Sequence, residues 1–383
     1  MADEQAEELD FGSEIPEHDV LRALEEKYRE QMRQIMPQKI ELPVSTLPQM
    51  IEKQINLNPD FQRRGRWDQE RRSRFIESLI MNVPIPPVFL GEDEYGSYVV
   101  LDGRQRLTAV YEFLKNTFEL KGLKVWEELN RNRFDDMEKK KLDRFLTRRF
   151  IPAVVILKES SSQVKYDVFD RLNTGGVIAT PMEIRNAIFQ GRFTELLREL
   201  SANPLFRRLW GIPSQEAERN NSPIYSKMID LELVLRFFAL KEPESMAFPF
   251  IDHLSEFMDS RNKLYSEEKE RADDDKRSFD WAVKNCWKVL GENAFRRNQM
   301  DGQPSGKRST PLGDALLIAF SDIDPKELTD GAASAMRQAI FSLLSNDTEF
   351  QKAVSTGTNG KGAITLRVRR AQQAVRSALV HAA

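Results

Sequence analysis

The sequence predicts an α+β protein, with an α/β domain in the first half and an all-helical domain in the second. Three observations carry this. Apolar, β-branched runs of strand length stand at 88–91, 97–103 and 150–157. From about residue 191 such runs vanish, and apolar residues recur only at helical spacing. The chain has 383 residues, 40% of them hydrophobic. That exceeds the ~250–300 residues at which a single core stops growing, so two units are expected.

The elements follow in order. Residues 1–37 are an acidic segment, expected to be disordered to about residue 19 and helical over 20–35, where Leu21, Leu24, Tyr28, Met32 and Ile35 share a face. Residues 38–190 form the α/β domain. It starts with a short strand at 40–45, a helix at 46–54 and a polar loop. Asp68 caps a helix from Gln69 to Met81, and the prolines of NVPIPP stop it. Strands 88–91 and 97–103 make a hairpin. Helix 105–115, a charged helix at 135–148 and strand 150–157 come next. A helix over 162–172 is broken by Asn173-Thr174-Gly175-Gly176 and resumes over 181–190.

Residues 191–383 form the helical domain. Asn203-Pro204 opens a short helix and Gly211 ends it, by the proline-first, glycine-last asymmetry. A polar loop at 214–221 precedes a long apolar helix from Ser222-Pro223 to Leu240. Further helices fit 249–264, 266–290, 311–321, 329–345 and 363–380. Residues 296–310, RRNQMDGQPSGKRST, have the composition of a flexible linker.

Composition narrows the function classes. One cysteine, Cys286, supports neither an internal disulfide nor a cysteine zinc cage. The longest apolar stretch, Met228 to Leu240, is broken by Asp230, Glu232 and Arg236 and is shorter than the ~18 residues of a membrane span. With no signal-peptide pattern at the N-terminus, a soluble cytoplasmic protein without membrane contact is expected. The net charge of −3 hides an uneven distribution. Residues 1–39 hold 11 acids against 5 bases. Residues 62–74 hold six arginines against Asp68 and Glu70, and residues 131–149 hold eight bases against four acids. The last 23 residues hold five bases and no acid. Such basic islands suit phosphate-bearing partners, and equally describe solvated faces.

Three clusters carry chemistry. The first, Leu101-Asp102-Gly103-Arg104-Gln105-Arg106, sits where a strand turns into a helix. Backbone N–H groups at a helix start bind phosphate, Gly103 allows close approach, and Arg104 and Arg106 add charge-assisted hydrogen bonds. The same residues also read as a capping box, with Asp102 as N-cap and Gln105 as its partner. The second cluster, Phe61-Gln62-Arg63-Arg64-Gly65-Arg66-Trp67, is a basic loop with embedded aromatics. The third runs from Phe169 through Asn173, Gly175 and Gly176 to Thr180-Pro181-Met182-Glu183-Ile184-Arg185-Asn186. A capping box explains Thr180, Pro181 and Glu183 and leaves Arg185 and Asn186 unexplained.

In order and spacing the three clusters resemble the N-terminal domain of GmrSD-type modification-dependent restriction enzymes, a ParB-like family. The family's F-Q-R…W block matches Phe61 to Arg63 with Trp67. Its D-G-Q-Q-R motif matches Asp102 to Arg106, and its F-x-x-L-N-T-G-G…E-I-R-N block matches Phe169 to Gly176 with Glu183 to Asn186. The resemblance covers about residues 38–190. It implies a ParB/sulfiredoxin-like fold, an NTP as ligand, magnesium where hydrolysis occurs, and DNA as a partner in defence against phage. It implies Asp102, Gln105 and Arg106 as catalytic residues. Gln62, Arg63, Gly103, Arg104, Asn173, Gly175, Gly176 and Arg185 would bind the nucleotide phosphates.

Two departures matter. Arg104 replaces the family's first glutamine, which favours phosphate binding over hydrolysis. The His-Asn-His nuclease that often follows is not expected, because His18, His253 and His381 are far apart in the sequence and a ββα-metal nuclease needs its histidines on one unit. The helical half is expected to recognise or assemble with a partner, a protein or a second copy. Its last helix carries Arg367, Arg370 and Arg376 off an apolar stripe, a weak signal for nucleic acid. Three readings result: an NTP-binding, NTP-hydrolysing switch acting on DNA; a non-catalytic ParB-like DNA-binding scaffold; and a metal-dependent nickase working through Asp102.

Overall fold

The structure, a computed structural model, describes residues 37–57, 67–160, 180–247, 249–268, 270–298 and 305–382, together with residues 25, 165, 166, 168 and 171. The helix expected over 20–35 therefore lies outside the described residues except at Glu25, which is helical.

The first half is a five-stranded mixed sheet with helices. β1 (Pro37–Pro43) is followed by α1 (Leu47–Lys53), β2 (Ile55–Asn56), α2 (Gln69–Ile80), β3 (Val88–Glu94), β4 (Ser97–Asp102), α3 (Arg104–Leu114), α4 (Phe134–Lys139), α5 (Arg144–Thr147) and β5 (Phe150–Ile156). The strand order is β1-β5-β3-β4-β2. The β1–β5 and β3–β4 pairs are antiparallel, and β3–β5 and β2–β4 are parallel. The β4 run is buried on both sides, as its continuous apolar sequence requires. Val100 joins one core with Ile76, Leu79, Leu107, Val110 and Phe113. Val99 and Leu101 point to the opposite face and join the second core.

That second core belongs mostly to the helical half. α6 (Pro181–Ile188), α7 (Arg192–Ser201), α8 (Pro204–Trp210), α9 (Glu216–Asn221), α10 (Pro223–Ser226), α11 (Ile229–Ala239), α12 (Phe250–Glu267) and α13 (Arg271–Leu290) lead to a two-stranded ribbon, β6 (Arg296–Asn298) with β7 (Ser305–Arg308). α14 (Thr310–Phe320), α15 (Asp330–Asn346), α16 (Thr348–Ala353) and α17 (Lys361–Ala382) complete the chain. Met182 and Ile184 of α6 lie in the same core as Phe193, Phe238, Phe279 and Phe320, so the sheet and the helices are joined through apolar packing.

Four expectations are corrected. The second half is not all helical, because the segment 296–310, expected as a linker, contributes the β6–β7 ribbon. The charged helix over 135–148 is two helices. Lys141 turns left-handed at φ +60°. Its N–H and that of Leu142 close a Schellman turn on Glu138 and Met137 at 2.9 and 2.8 Å. The long helix to Leu240 breaks at Met228, φ +49°. The polar loop over 214–221 contains α9.

Candidate functional site

The Asp102–Arg106 turn is set by one glycine. Gly103 holds φ +91°, a conformation side-chain-bearing residues avoid, and a Cβ there would run into Val88, whose own Cβ would lie 2.9 Å away. Gly103 is the N-cap of α3 and offers no side-chain cap. The capping box anticipated from Asp102 and Gln105 is therefore not made. Asp102 instead accepts from Arg106 Nη2 at 2.8 Å, and Arg106 Nη1 donates to the Pro86 carbonyl. Arg106 is thus a clamp between the turn and the proline-rich loop before β3. Its side chain is 13% exposed, against 49% for Asp102. The carboxylate stays half open to water while its arginine does not.

Parts of all three sequence clusters converge on this turn. Gln105 Oε1 accepts from the Trp67 backbone N–H at 3.1 Å, which brings the end of the basic loop to the start of α3. Arg71 lies 5.0 Å from the Trp67 ring centroid, and that ring meets Phe75 edge-on at 5.5 Å. Arg104 lies within the electrostatic reach of Glu183. Burial pulls the Arg104 guanidinium down to a pKa of about 10, and Glu183 opposes the shift. Glu183 sits in the first turn of α6, where its carboxylate accepts from Thr180 N at 2.6 Å and completes the capping box. One carboxylate therefore serves both the α6 cap and the charge of Arg104. Sequence reasoning assigned only the first role. Chain spacing holds no sign of the second, because 79 positions separate the pair.

The remaining predicted site residues divide. Gln62, Arg63, Asn173, Gly175 and Gly176 lie outside the described residues. Arg185, expected to line the site, is 1% exposed and inserted into the helical half. It donates to Ser255 Oγ at 3.0 Å and to the Ile251 carbonyl at 2.8 Å, and Glu232 lies at 3.7 Å. Tyr166 lies 5.8 Å beneath its guanidinium. Its role is to fasten α6 to α11 and α12.

The C-terminal helix is also corrected. Arg367, placed off the apolar stripe, is fully buried and donates to Asp314 at 3.0 Å. Arg236 meets the same carboxylate with two bonds, at 2.6 and 3.1 Å. Arg370 pairs with Asp347 and Glu349, Arg376 with Asp322, and Arg369 with Glu244. These arginines dock the helix. His253 is buried, with Nε2 3.1 Å from the Ala239 carbonyl and Nδ1 3.4 Å from Ala247 N, a structural position. Among the described residues no three acidic, histidine or cysteine side chains gather as metal ligands, and no helix is long and apolar enough to cross a membrane.

Residues 44–190 match the family model described as GmrSD restriction endonuclease, N-terminal domain. No curated protein and no solved structure matches the chain.

Proposed function

Residues 44–190 belong to the N-terminal domain family of GmrSD restriction endonucleases, and on that premise we propose that the protein is a cytoplasmic, restriction-type defence protein whose Asp102–Arg106 turn binds the phosphate chain of an NTP. In this reading the first half has a ParB-like fold, and nucleotide occupancy governs action on DNA by the helical half. The observation that carries it is the start of α3. A glycine-only turn opens the helix with no side-chain cap, and Arg104 and Asp102 flank it. Uncapped N–H groups with an adjacent guanidinium form a phosphate cradle. Arg104 is the binding cation. Arg106 positions Asp102 and the Pro86 loop.

Magnesium fits this site in one way. The ion is commonly bound by one or two carboxylates plus substrate phosphates, and the half-exposed carboxylate of Asp102 supplies one such ligand. Magnesium would supply charge neutralisation of the phosphates. The chain's own part is to hold Asp102 in place through Arg106 and to keep Gln105 engaged with Trp67. The nickase reading is not carried forward, because Asp102 has no companion carboxylates to complete a metal site among the described residues.

The test is calorimetric titration of the full chain with each of the four NTPs in magnesium. One NTP should bind with a micromolar Kd, about −8 kcal/mol, and Arg104→Ala should weaken it at least about tenfold, the loss of one charge-assisted contact. No heat with any NTP would remove the nucleotide reading and leave the non-catalytic scaffold.

A further inference from the structure

We infer that the β6–β7 ribbon is a docking surface for the phosphate backbone of duplex DNA. The described residues of the two strands are Arg296, Arg297 and Asn298, then Ser305, Gly306, Lys307 and Arg308, four cations without an acid. Arg296 stands directly opposite Arg308 in the register. Like charges placed opposite each other destabilise a strand pair. A lone two-stranded ribbon is already marginal in water. The fold holds the ribbon despite both costs.

It does so from below. Arg308 Nε donates to the Leu209 carbonyl at 2.5 Å, at the negative end of α8. Ser309 N donates to the Phe295 carbonyl at 2.8 Å and closes the base. Phe295 is buried with its ring 4.5 Å from that of Trp210. Arg308 therefore has structural work. Arg297 and Lys307 have none. Both are exposed, and neither makes a hydrogen bond or ion pair with another described residue. Beside the ribbon, Arg208 is exposed and sits 4.2 Å from the Trp287 ring centroid, paired with Glu292 at 2.8 Å.

An anchored ribbon with cations outward matches a polyphosphate by charge and by shape, since the major groove of B-DNA admits a two-stranded β-ribbon. The predicted contacts are to phosphates, so affinity depends on salt and little on sequence. This rests on the reading that the protein acts on DNA and is independent of the nucleotide turn.

The experiment compares the full chain with the double variant Arg297→Glu/Lys307→Glu, using anisotropy of a labelled duplex across about 50–200 mM salt. The variant should bind at least about tenfold more weakly, and its slope of log affinity against log salt should shallow by about 2. Its NTP titration should equal that of the unmodified chain, which keeps a folding defect and a failure of the nucleotide site apart from a failure of the ribbon. Unchanged affinity and slope would overturn the assignment. So would absence of duplex binding by the unmodified chain, or a single-stranded RNA bound much more tightly than the duplex.

Discussion

Asp314 and Asp102 both hold arginines, and they sit in opposite surroundings. Asp314 is 3% exposed and shared by Arg236 and Arg367, themselves 5% and 0% exposed. Asp102 binds Arg106 with its own side chain half open to water. The chemistry is the same, an aspartate accepting from a guanidinium. Desolvation sets the difference. A buried carboxylate between two guanidiniums is bound to the fold, because each group left alone is a bare charge in an apolar interior. A half-exposed carboxylate keeps lone pairs for an arriving ligand. Arginine count identifies neither case, and the side chain's surroundings identify both.

The largest expected effect lies on the buried side. Asp314→Asn removes the charge facing two buried guanidiniums, so urea unfolding should give a loss of about 3–5 kcal/mol. Asp102→Asn should stay within about 1 kcal/mol, as for exposed pairs. Equal losses in the two variants would break the contrast. Gly103→Ala comes next. The left-handed backbone and the contact with Val88 should together cost about 1–3 kcal/mol. The same substitution at Gly96, which has open space around it and φ +79°, should cost only the backbone part. Unfolding midpoints of the two variants separate the packing share.

The smallest effect sharpens the view of the open site. Burial holds the Arg104 pKa at about 10, below the ordinary arginine value. The unfolded chain therefore holds this proton more tightly than the folded one. The resulting cost is present in full below pH 10 and fades as pH climbs toward the ordinary arginine pKa. Arg104→Gln should then raise Tm at pH 7 by about 1–4 °C while weakening NTP binding. The Tm advantage should shrink above pH 10. A variant less stable at pH 7 would mean that Glu183 outweighs burial.

Local signals in the sequence were legible where the chain satisfies itself within a few residues. Asp68 accepts from Arg71 N at 2.7 Å, and Asn203 accepts from Leu205 N and Phe206 N at 3.0 and 3.2 Å, as the cap patterns indicate. Gly211 ends α8 in left-handed geometry. The apolar runs located β3, β4 and β5. Partners distant in sequence defeated the same reasoning. The sequence reads Arg185 as a phosphate ligand and Arg367 as a cation off the apolar stripe, while the burial of both is decided by Glu232, Ser255 and Asp314 on other helices. The Gly, Ser and Pro content of 296–310 suggests a linker, while Phe295, Ser309 and Arg308 tie its ends into a ribbon. At the site, the glycine turn and its flanking arginines were visible, but the roles of Arg104 and Arg106 were not. Pro86 and Glu183, from other parts of the chain, give the two arginines different surroundings, a clamp for Arg106 and a facing carboxylate for Arg104.

The contact between Gly103 and Val88 has a consequence for how sequences of this kind drift. A side chain at 103 and a branched one at 88 compete for the same space. Position 103 can leave glycine only in a chain that has already shrunk position 88, and even then only to asparagine or aspartate, which tolerate left-handed backbone. The two positions should therefore change as a pair across related chains, with residue 88 moving first. A lone substitution at 103 would mark a lineage that has given up the turn.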